Sequence, residues 1–143
     1  MATSAFLGSQ TLLKLGDAAS PEVFTTIGEV VSIGPIAQKK DLVEVTHMLS
    51  TAKEFIAGLS DGQEITVVCN YLPTNTQQAA LVVAAASVTA AKNFKYVMPS
   101  GGGSLTFSFA ALVLMSSVGP TTPNTATQVT FGLKITGAIT GPV

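Results

Sequence analysis

The stretch Thr127–Ile139, TQVTFGLKITGAI, alternates apolar and polar residues for most of its length. Its first four apolar positions fall on one side of an extended chain and are Val129, Phe131, Leu133 and Ile135. A two-residue period is typical of a strand with one buried face, because successive side chains of a strand point to opposite sides of the sheet. Leu105–Val118 shows the same period, and a Pro- and Thr-rich turn separates the two runs. We therefore predict an antiparallel pair of strands against the core.

Shorter runs predict further strands, namely Thr11–Leu15, Val23–Ile33, Glu64–Leu72 and Phe94–Met98. Asp61-Gly62 is a turn signal before the third of these runs. We expect a mainly β, α+β fold: an antiparallel β-sandwich or half-barrel of about seven strands in a single domain over 1–143. Residues 1–10 are expected to form an extended arm, 100–104 a flexible turn, and 140–143 a short tail.

One segment predicts a helix. Thr74 or Asn75 can act as its N-cap, and Gln77 or Gln78 can return the bond of a capping box. Apolar residues then recur at helical spacing, and the alanine-rich composition favours a helix. We expect a flanking α-helix over about 75–91 that packs on the sheet, with a partner-binding helix as the alternative.

The charges are unevenly distributed along the chain. Charged residues make up 10% of the sequence, against roughly 25% in typical domains. Every Asp and Glu lies between Asp17 and Glu64, and Gln38–Glu54 holds six of the fifteen charges together with His47, the only histidine. The rest of the chain is poor in charge for its length. A surface so poor in charge is typical of a subunit that covers much of it with copies of itself.

We interpret residues of about 34–58 as a long polar loop between strands. Val43 and Val45 alternate with Glu44 and Thr46, which favours a hairpin arm for part of it. A run of charges is ordinarily a solvated loop. The charge-depleted remainder of the chain favours a contact with another subunit instead.

Composition argues against several functional classes. The chain has no arginine and a net charge of −1, so tight DNA binding is not expected. The small-apolar run Ala79–Ala91 is shorter than the roughly 20 apolar residues that span a bilayer. The first ten residues lack the pattern of a signal peptide, so we expect synthesis in the cytoplasm. The single Cys69 excludes an intramolecular disulfide and fits a buried strand position.

Catalytic and metal sites are not expected either. His47, Asp41 and Ser50 are residue types of a hydrolase triad, but no nucleophile elbow or oxyanion loop accompanies them. One His and one Cys without ligand spacing do not predict a zinc site. The glycines at 101–103 are not followed by the Lys-Ser/Thr of a phosphate loop. We therefore expect no enzyme activity, cofactor or metal.

The order of these motifs resembles a known family. The chain carries, in order, FLGSQTLLKLGD at 6–17, SPEVFTTIGEVVSIGPI at 20–36, DLVEVTHMLS at 41–50, KEFIAGLSDGQEITVVCNYLP at 53–73 and, after the helix and the Gly-rich turn, VTFGLKITGAI at 129–139. This arrangement, from about Phe6 to Ile139, resembles the major tail tube proteins of long-tailed (siphovirus-type) bacteriophages. Its most specific parts are Glu44–Ser50 and Glu54–Tyr71.

The resemblance implies a structural function in the virion tail, with synthesis in the host cytoplasm. Six copies would form a ring, and rings would stack into a hollow conduit for passage of DNA into the host. The long loop would reach the neighbouring ring, and the residues expected at this contact are Lys39, Lys40, Asp41, Glu44, His47, Lys53, Glu54 and Phe55. The implied partners are other copies of the chain and the tape-measure, tail-tip initiator and terminator proteins, with no membrane and no specific binding of DNA.

Two other functions stay open at this point. One is a different self-assembling β-rich subunit, of a capsid-decoration or pilus-like kind, and the other is a small-ligand-binding β-barrel. For a channel wall, negative charge can come only from acids in the first half of the chain. Those expected there are Asp17, Glu22, Glu29 or Glu64, on or beside the early strands. The alternative is a wall of Ser, Thr, Asn and Gln from the two long strands, with Lys134 facing away or paired.

Overall fold

A computed structural model of the chain describes residues 7–88, 90–100 and 103–142. Its elements are β1 (Leu12–Gly16), β2 (Phe24–Thr26), β3 (Val30–Ile33), β4 (Gln38–Glu44), β5 (Phe55–Gly62), β6 (Glu64–Asn70), α1 (Thr76–Ala86), β7 (Lys92–Ser100), β8 (Gly103–Val118) and β9 (Gln128–Thr140). Seven strands form one antiparallel sheet in the order β2-β1-β7-β8-β9-β6-β3, and β4 and β5 form a separate hairpin. The expected mainly β architecture with one flanking helix is confirmed.

The two outer strands of the large sheet are joined by a very short connection. β2 and β3 lie at opposite edges, yet only Ile27–Glu29 separate them in sequence. A flat sheet of seven strands would hold its outer strands about 29 Å apart, at about 4.8 Å per step. Three intervening residues reach at most about 14 Å. The sheet therefore curls into a half-barrel until its edges approach each other.

The core fills the concave face of this half-barrel. Buried side chains come from alternate positions of five strands and are Leu13, Leu15, Ile65, Val67, Cys69, Phe94, Phe109, Ala111, Val129, Phe131, Leu133 and Ile135. Phe94 and Phe109 stack with their ring centroids 5.6 Å apart. The apolar face predicted for Thr127–Ile139 is thus the buried face, and each large side chain in it stabilises the fold by roughly 1.5–3 kcal/mol.

The helix begins where expected but is shorter than expected. Asn75 is the N-cap, and its side-chain oxygen accepts a hydrogen bond from the backbone N–H of Gln78 at 3.0 Å. The helix ends at Ala86, not near residue 91. Leu81 and Ala84 are buried whereas Val88 is fully exposed. Helical stability in proteins comes mostly from packing, and Ala86, Ser87 and Val88 are all exposed, so packing does not stabilise a longer helix.

The side chain of Gln78 does not complete the expected capping box. It is buried and donates to the carbonyls of Gly28 and Asn70, both at 2.9 Å, while its oxygen accepts from Leu72 N–H at 2.9 Å. These bonds join the start of α1 to the turn between β2 and β3 and to the end of β6. One side chain therefore closes an end of the half-barrel.

Three sequence expectations were wrong locally. Asp61-Gly62 do not form a turn but end β5, and the chain passes from the hairpin to β6 through Gln63. The run Val23–Ile33 is two short strands. The alternation of Leu105–Val118 predicts Met115 on the same buried face as Phe109 and Ala111, but β8 has a bulge between Val113 and Met115 and Met115 is about half exposed. A bulge adds a residue to one strand and shifts its alternation, and nothing in the apolar pattern announces it.

Parts of three expected segments lie outside the described residues: residues 1–6 of the arm, 101–102 of the glycine-rich turn and 143 of the tail. Residues 7–10 of the expected arm form a turn. Thr11 N–H donates to the carbonyl of Gly8 at 3.3 Å, and Gln10 has a φ of 69°.

Candidate functional site

The segment expected as a long polar loop, about 34–58, forms most of the β4–β5 hairpin, whose second strand continues to Gly62. The two strands pair antiparallel from Gln38↔Gly62 at the base to Glu44↔Phe55 near the tip, with a bulge between Lys40 and Leu42. The hairpin-arm interpretation is therefore the one observed, and residues 45–54 form the tip. Because neither strand packs on the core beyond the base of the hairpin, burial does not impose a regular apolar period on them.

The base of the hairpin is packed tightly on β9. Gln63 N–H donates to the carbonyl of Ala37 at 3.0 Å, and Ile135 N–H donates to the carbonyl of Gln63 at 3.3 Å. Gly62 is buried here, and a Cβ at this position would lie 2.7 Å from the Cβ of Ile135. A contact this close admits only glycine without a shift of the backbone.

Two side-chain bonds add to this attachment. Lys134 Nζ lies 3.1 Å from Asp61 Oδ1 and also donates to the carbonyl of Gly62. Gln38 Nε2 donates to the carbonyl of Gly137 at 3.2 Å. Lys134 is thus paired and ties β9 to the hairpin, which sets the direction in which the arm leaves the half-barrel.

Beyond the base, the hairpin exposes apolar side chains on both faces. All seven residues of β4 are exposed. Because cross-strand partners share a face, the register places Leu42 with Ala57 on one face and Val43 with Ile56 on the other. The exposed large apolar side chains of this arm are Leu42, Val43, Val45, Met48, Leu49, Phe55, Ile56 and Leu59. Exposed apolar groups at this density are typical of a surface that binds another protein.

The tip is held by a polar network. Glu54 Oε2 accepts from the Ser50 hydroxyl at 2.6 Å and lies 3.4 Å from His47 Nε2. The Thr46 hydroxyl accepts from Glu54 N–H at 2.9 Å and donates to Glu44 Oε1 at 3.2 Å. The hydroxyl of Ser50 therefore points to a carboxylate rather than to an imidazole base, which is not the order of contacts in a catalytic triad.

The residues expected at a subunit contact all belong to this arm and are all exposed: Lys39, Lys40, Asp41, Glu44, His47, Lys53, Glu54 and Phe55. The structure brings His47, Glu54 and Glu44 together at the tip and leaves Lys39, Lys40 and Asp41 along β4. Their role in a contact stays a prediction. Sequence reasoning missed most of the apolar residues interleaved with them, whose only signal was their presence inside a charged segment.

Two acids outside the hairpin, Asp17 and Glu22, accept hydrogen bonds near the connection between β1 and β2. Asp17 Oδ1 accepts from the backbone N–H groups of Ala19 and Val23, each at 3.0 Å, and these bonds hold the pKa of Asp17 below its usual value. Glu22 accepts from Ala18 N–H at 2.9 Å and from Asn93 Nδ2 at 2.8 Å. These carboxylates stabilise the chain path between β1 and β2.

Within the ranges that the structure covers, no three His, Cys, Asp or Glu side chains are grouped as metal ligands. Among the same residues, no helix has the length and apolar character needed to cross a membrane. Cys69 is fully buried on β6, and burial raises the pKa of its thiol to about 11.

No protein-family model matches this sequence, and no curated protein matches it. Solved structures do match. The tail of an empty gene transfer agent particle, refined with C6 symmetry, has a TM-score of 0.69 at 19% identity, over 95% of this chain and 98% of that chain. The SPP1 tail tube has a TM-score of 0.71 at 12% identity, over 93% and 77%.

A third match is the sheath/tube terminator of the PVC extracellular contractile injection system in its extended state. Its TM-score is 0.73 at 11% identity, over 99% of this chain and 100% of that chain. The three similarities span almost the whole of this chain, so they concern the complete half-barrel and not a shared hairpin. The sequence resemblance is thereby confirmed at the level of the fold: this chain has the fold of the subunits that build the tails and tubes of phage-like particles.

Proposed function

We propose that this protein is the structural subunit of a phage tail tube, in which rings of six copies stack into a hollow conduit for DNA. The observation that carries this proposal is the β4–β5 hairpin with apolar side chains exposed on both faces. An isolated two-stranded hairpin is marginally stable in water, and this one gains little from the core because it is attached mainly at its base. A neighbouring subunit supplies the missing contact.

The similar structures support the ring geometry. One of them is a tail refined with C6 symmetry, and a subunit of the same fold can occupy the same kind of position. The charge-poor second half of the chain fits a subunit with little surface left in water. In this proposal the hairpin reaches the adjacent ring, and the eight residues predicted from sequence lie at or beside that contact.

The long strands are suited to an inert channel wall. On the face opposite the core, β8 and β9 carry five small hydroxyl side chains and four other uncharged residues: Ser104, Thr106, Ser108, Thr130 and Thr136, with Ala110, Leu112, Gln128 and Gly132. The one charge on this stretch of β9, Lys134, is bonded to Asp61. A wall with few free cations lets DNA slide, because phosphate affinity in proteins comes from Lys and Arg.

The proposal extends to location and partners. The protein resides in the virion tail, where tape-measure, tail-tip initiator and terminator proteins meet the ends or the lumen of the tube. It carries no catalytic role, and its hydroxyl, imidazole and carboxylate groups at the hairpin tip serve to hold the tip in shape.

The test is direct observation of assembly. Purified protein should be concentrated, with and without seeds of preformed particles, and examined by negative-stain electron microscopy and analytical ultracentrifugation. We expect rings with sixfold symmetry or tubes with a stain-filled lumen, without any cofactor. A protein that stays monomeric under every concentration and seeding condition contradicts the proposal, and solid fibres without a lumen favour the pilus-like alternative.

A further inference from the structure

A second apolar surface lies on the body of the protein, between α1 and β8. It is a groove of about 350 Å³ lined by Val82, Ala85, Ala86, Leu114, Met115 and Ser116. Leu114 and Met115 are each about half exposed. The groove is therefore uncovered in the free subunit.

The local structure of β8 creates this groove. The bulge between Val113 and Met115 shifts the alternation of the strand, so that Leu114 and Met115 are both exposed next to the helix. Bulges commonly redirect side chains in this way. Neither α1 nor β8 contains a charged residue, so neither element places a charged side chain that would hold water at the groove.

Symmetry limits what can cover this groove. A contact between identical surfaces closes a twofold dimer, whereas a ring or a stack of rings needs contacts between unlike surfaces. If the protein forms sixfold rings that stack in one direction, the apolar hairpin cannot be covered by another hairpin alone. It needs an unlike surface that is also apolar, and the groove is such a surface. The subunit's own hairpin packs on β9 and leaves the groove open.

We propose that the groove between α1 and β8 receives the β4–β5 hairpin of a neighbouring copy, with the face of Leu42, Ala57 and Phe55 turned into it. This inference rests on the proposed tail-tube function. It identifies the receptor surface, which the fold alone does not specify. The groove is lined without charge. On the hairpin face, Glu44 pairs with Phe55 at the tip end, and this carboxylate stays at the rim of the contact.

Cysteine cross-linking between two populations of the full chain tests the contact. One population carries Ala57→Cys on the hairpin and the other carries Ala85→Cys in the groove; both changes nearly conserve size. The control replaces Ala85→Cys with Ala138→Cys, an exposed alanine of β9 outside the groove. The unmodified chain, whose single Cys69 is buried, is the blank.

After mixing, assembly and mild oxidation, we expect a disulfide between positions 57 and 85, at least tenfold more abundant than the link between 57 and 138. Peptide mapping by mass spectrometry identifies the pair. Rings or tubes that form with equal links to both positions, or with mainly 57–57 links, overturn this contact and leave the proposed function standing. If the unmodified chain forms no rings or tubes at all, the proposed function fails and the contact fails with it.

A charge placed in the groove gives a second readout. Ala85→Lys should abolish assembly, and Ala138→Lys should not, with circular dichroism and melting temperature confirming that both variants are folded. Assembly of a folded Ala85→Lys variant at the concentration of the unmodified chain contradicts the proposed contact.

Discussion

Two leucines of the hairpin give a quantitative test of whether apolar burial drives assembly. Leu42 and Leu59 expose 71% and 87% of their surface in the subunit. Covering a whole leucine side chain stabilises by about 2 kcal/mol, so covering what these two leave exposed contributes about 3 kcal/mol per subunit. Since every 1.4 kcal/mol is a factor of ten, the double variant Leu42→Ser/Leu59→Ser should need a concentration roughly a hundredfold higher to assemble.

The assay is sedimentation over a dilution series, with electron microscopy of each pellet. The same variant should keep the circular dichroism and melting temperature of the unmodified chain, because neither side chain contributes to the core. Val23→Ser, at an exposed valine outside the hairpin, is the matched control and should assemble normally. Assembly of the double variant at the usual concentration, or a substantially lower melting temperature, would refute the reasoning.

Four further outcomes are expected. Reversing the four charges of β4 (Lys39, Lys40, Asp41 and Glu44) should stop tube growth at the usual concentration without changing the fold. Single reversals should have little effect, because exposed ion pairs contribute only about 0–1 kcal/mol each. Normal tubes from the quadruple variant would show that these charges are not part of the contact. Gln78→Leu leaves three backbone groups without their partner and should lower the free energy of unfolding by about 3 kcal/mol, measured by urea denaturation against Gln77→Leu, which should change it little. The Cys69 thiol, buried and with a raised pKa, should react with a thiol reagent at pH 8 only after unfolding, and rapid reaction of the native protein contradicts its burial. Duplex DNA should show no binding by fluorescence anisotropy at physiological salt, where non-specific binders reach roughly 10⁻⁴–10⁻⁶ M; micromolar, salt-sensitive binding would contradict an inert channel.

The strands of the core were predictable because one face of each is buried. Val129, Phe131, Leu133 and Ile135 alternate with polar residues, and burial on the concave face requires that period. The N-cap at Asn75 was also predictable, since capping depends on residues close in sequence. The order of strands in the sheet and the end of α1 at Ala86 depend on distant packing, and no local pattern contains them.

The position of the candidate site along the chain was predictable from the sequence, but the apolar character of its exposed side chains was not. The charge cluster around Lys39 and Lys40 correctly located the segment that leaves the core. Its apolar residues were overlooked because Leu42, Val43 and Leu59 follow no single period across the bulge. Beyond its base the arm does not pack on the core, so burial imposes no alternation on it, and the pattern that identifies ordinary strands is absent.

The position of β9 in the sheet has a consequence for how the protein is made. β9 lies between β8 and β6, so a chain that lacks it consists of two unconnected pieces, β2-β1-β7-β8 and β6-β3. The same strand carries Lys134 and Ile135, which hold the base of the hairpin. During translation, neither the continuous sheet nor the attachment of the hairpin base forms before β9 has left the ribosome. A chain that stops before β9 therefore lacks both the continuous sheet and the attachment of the hairpin, and under the proposed function such a copy would not compete for a place in the tube.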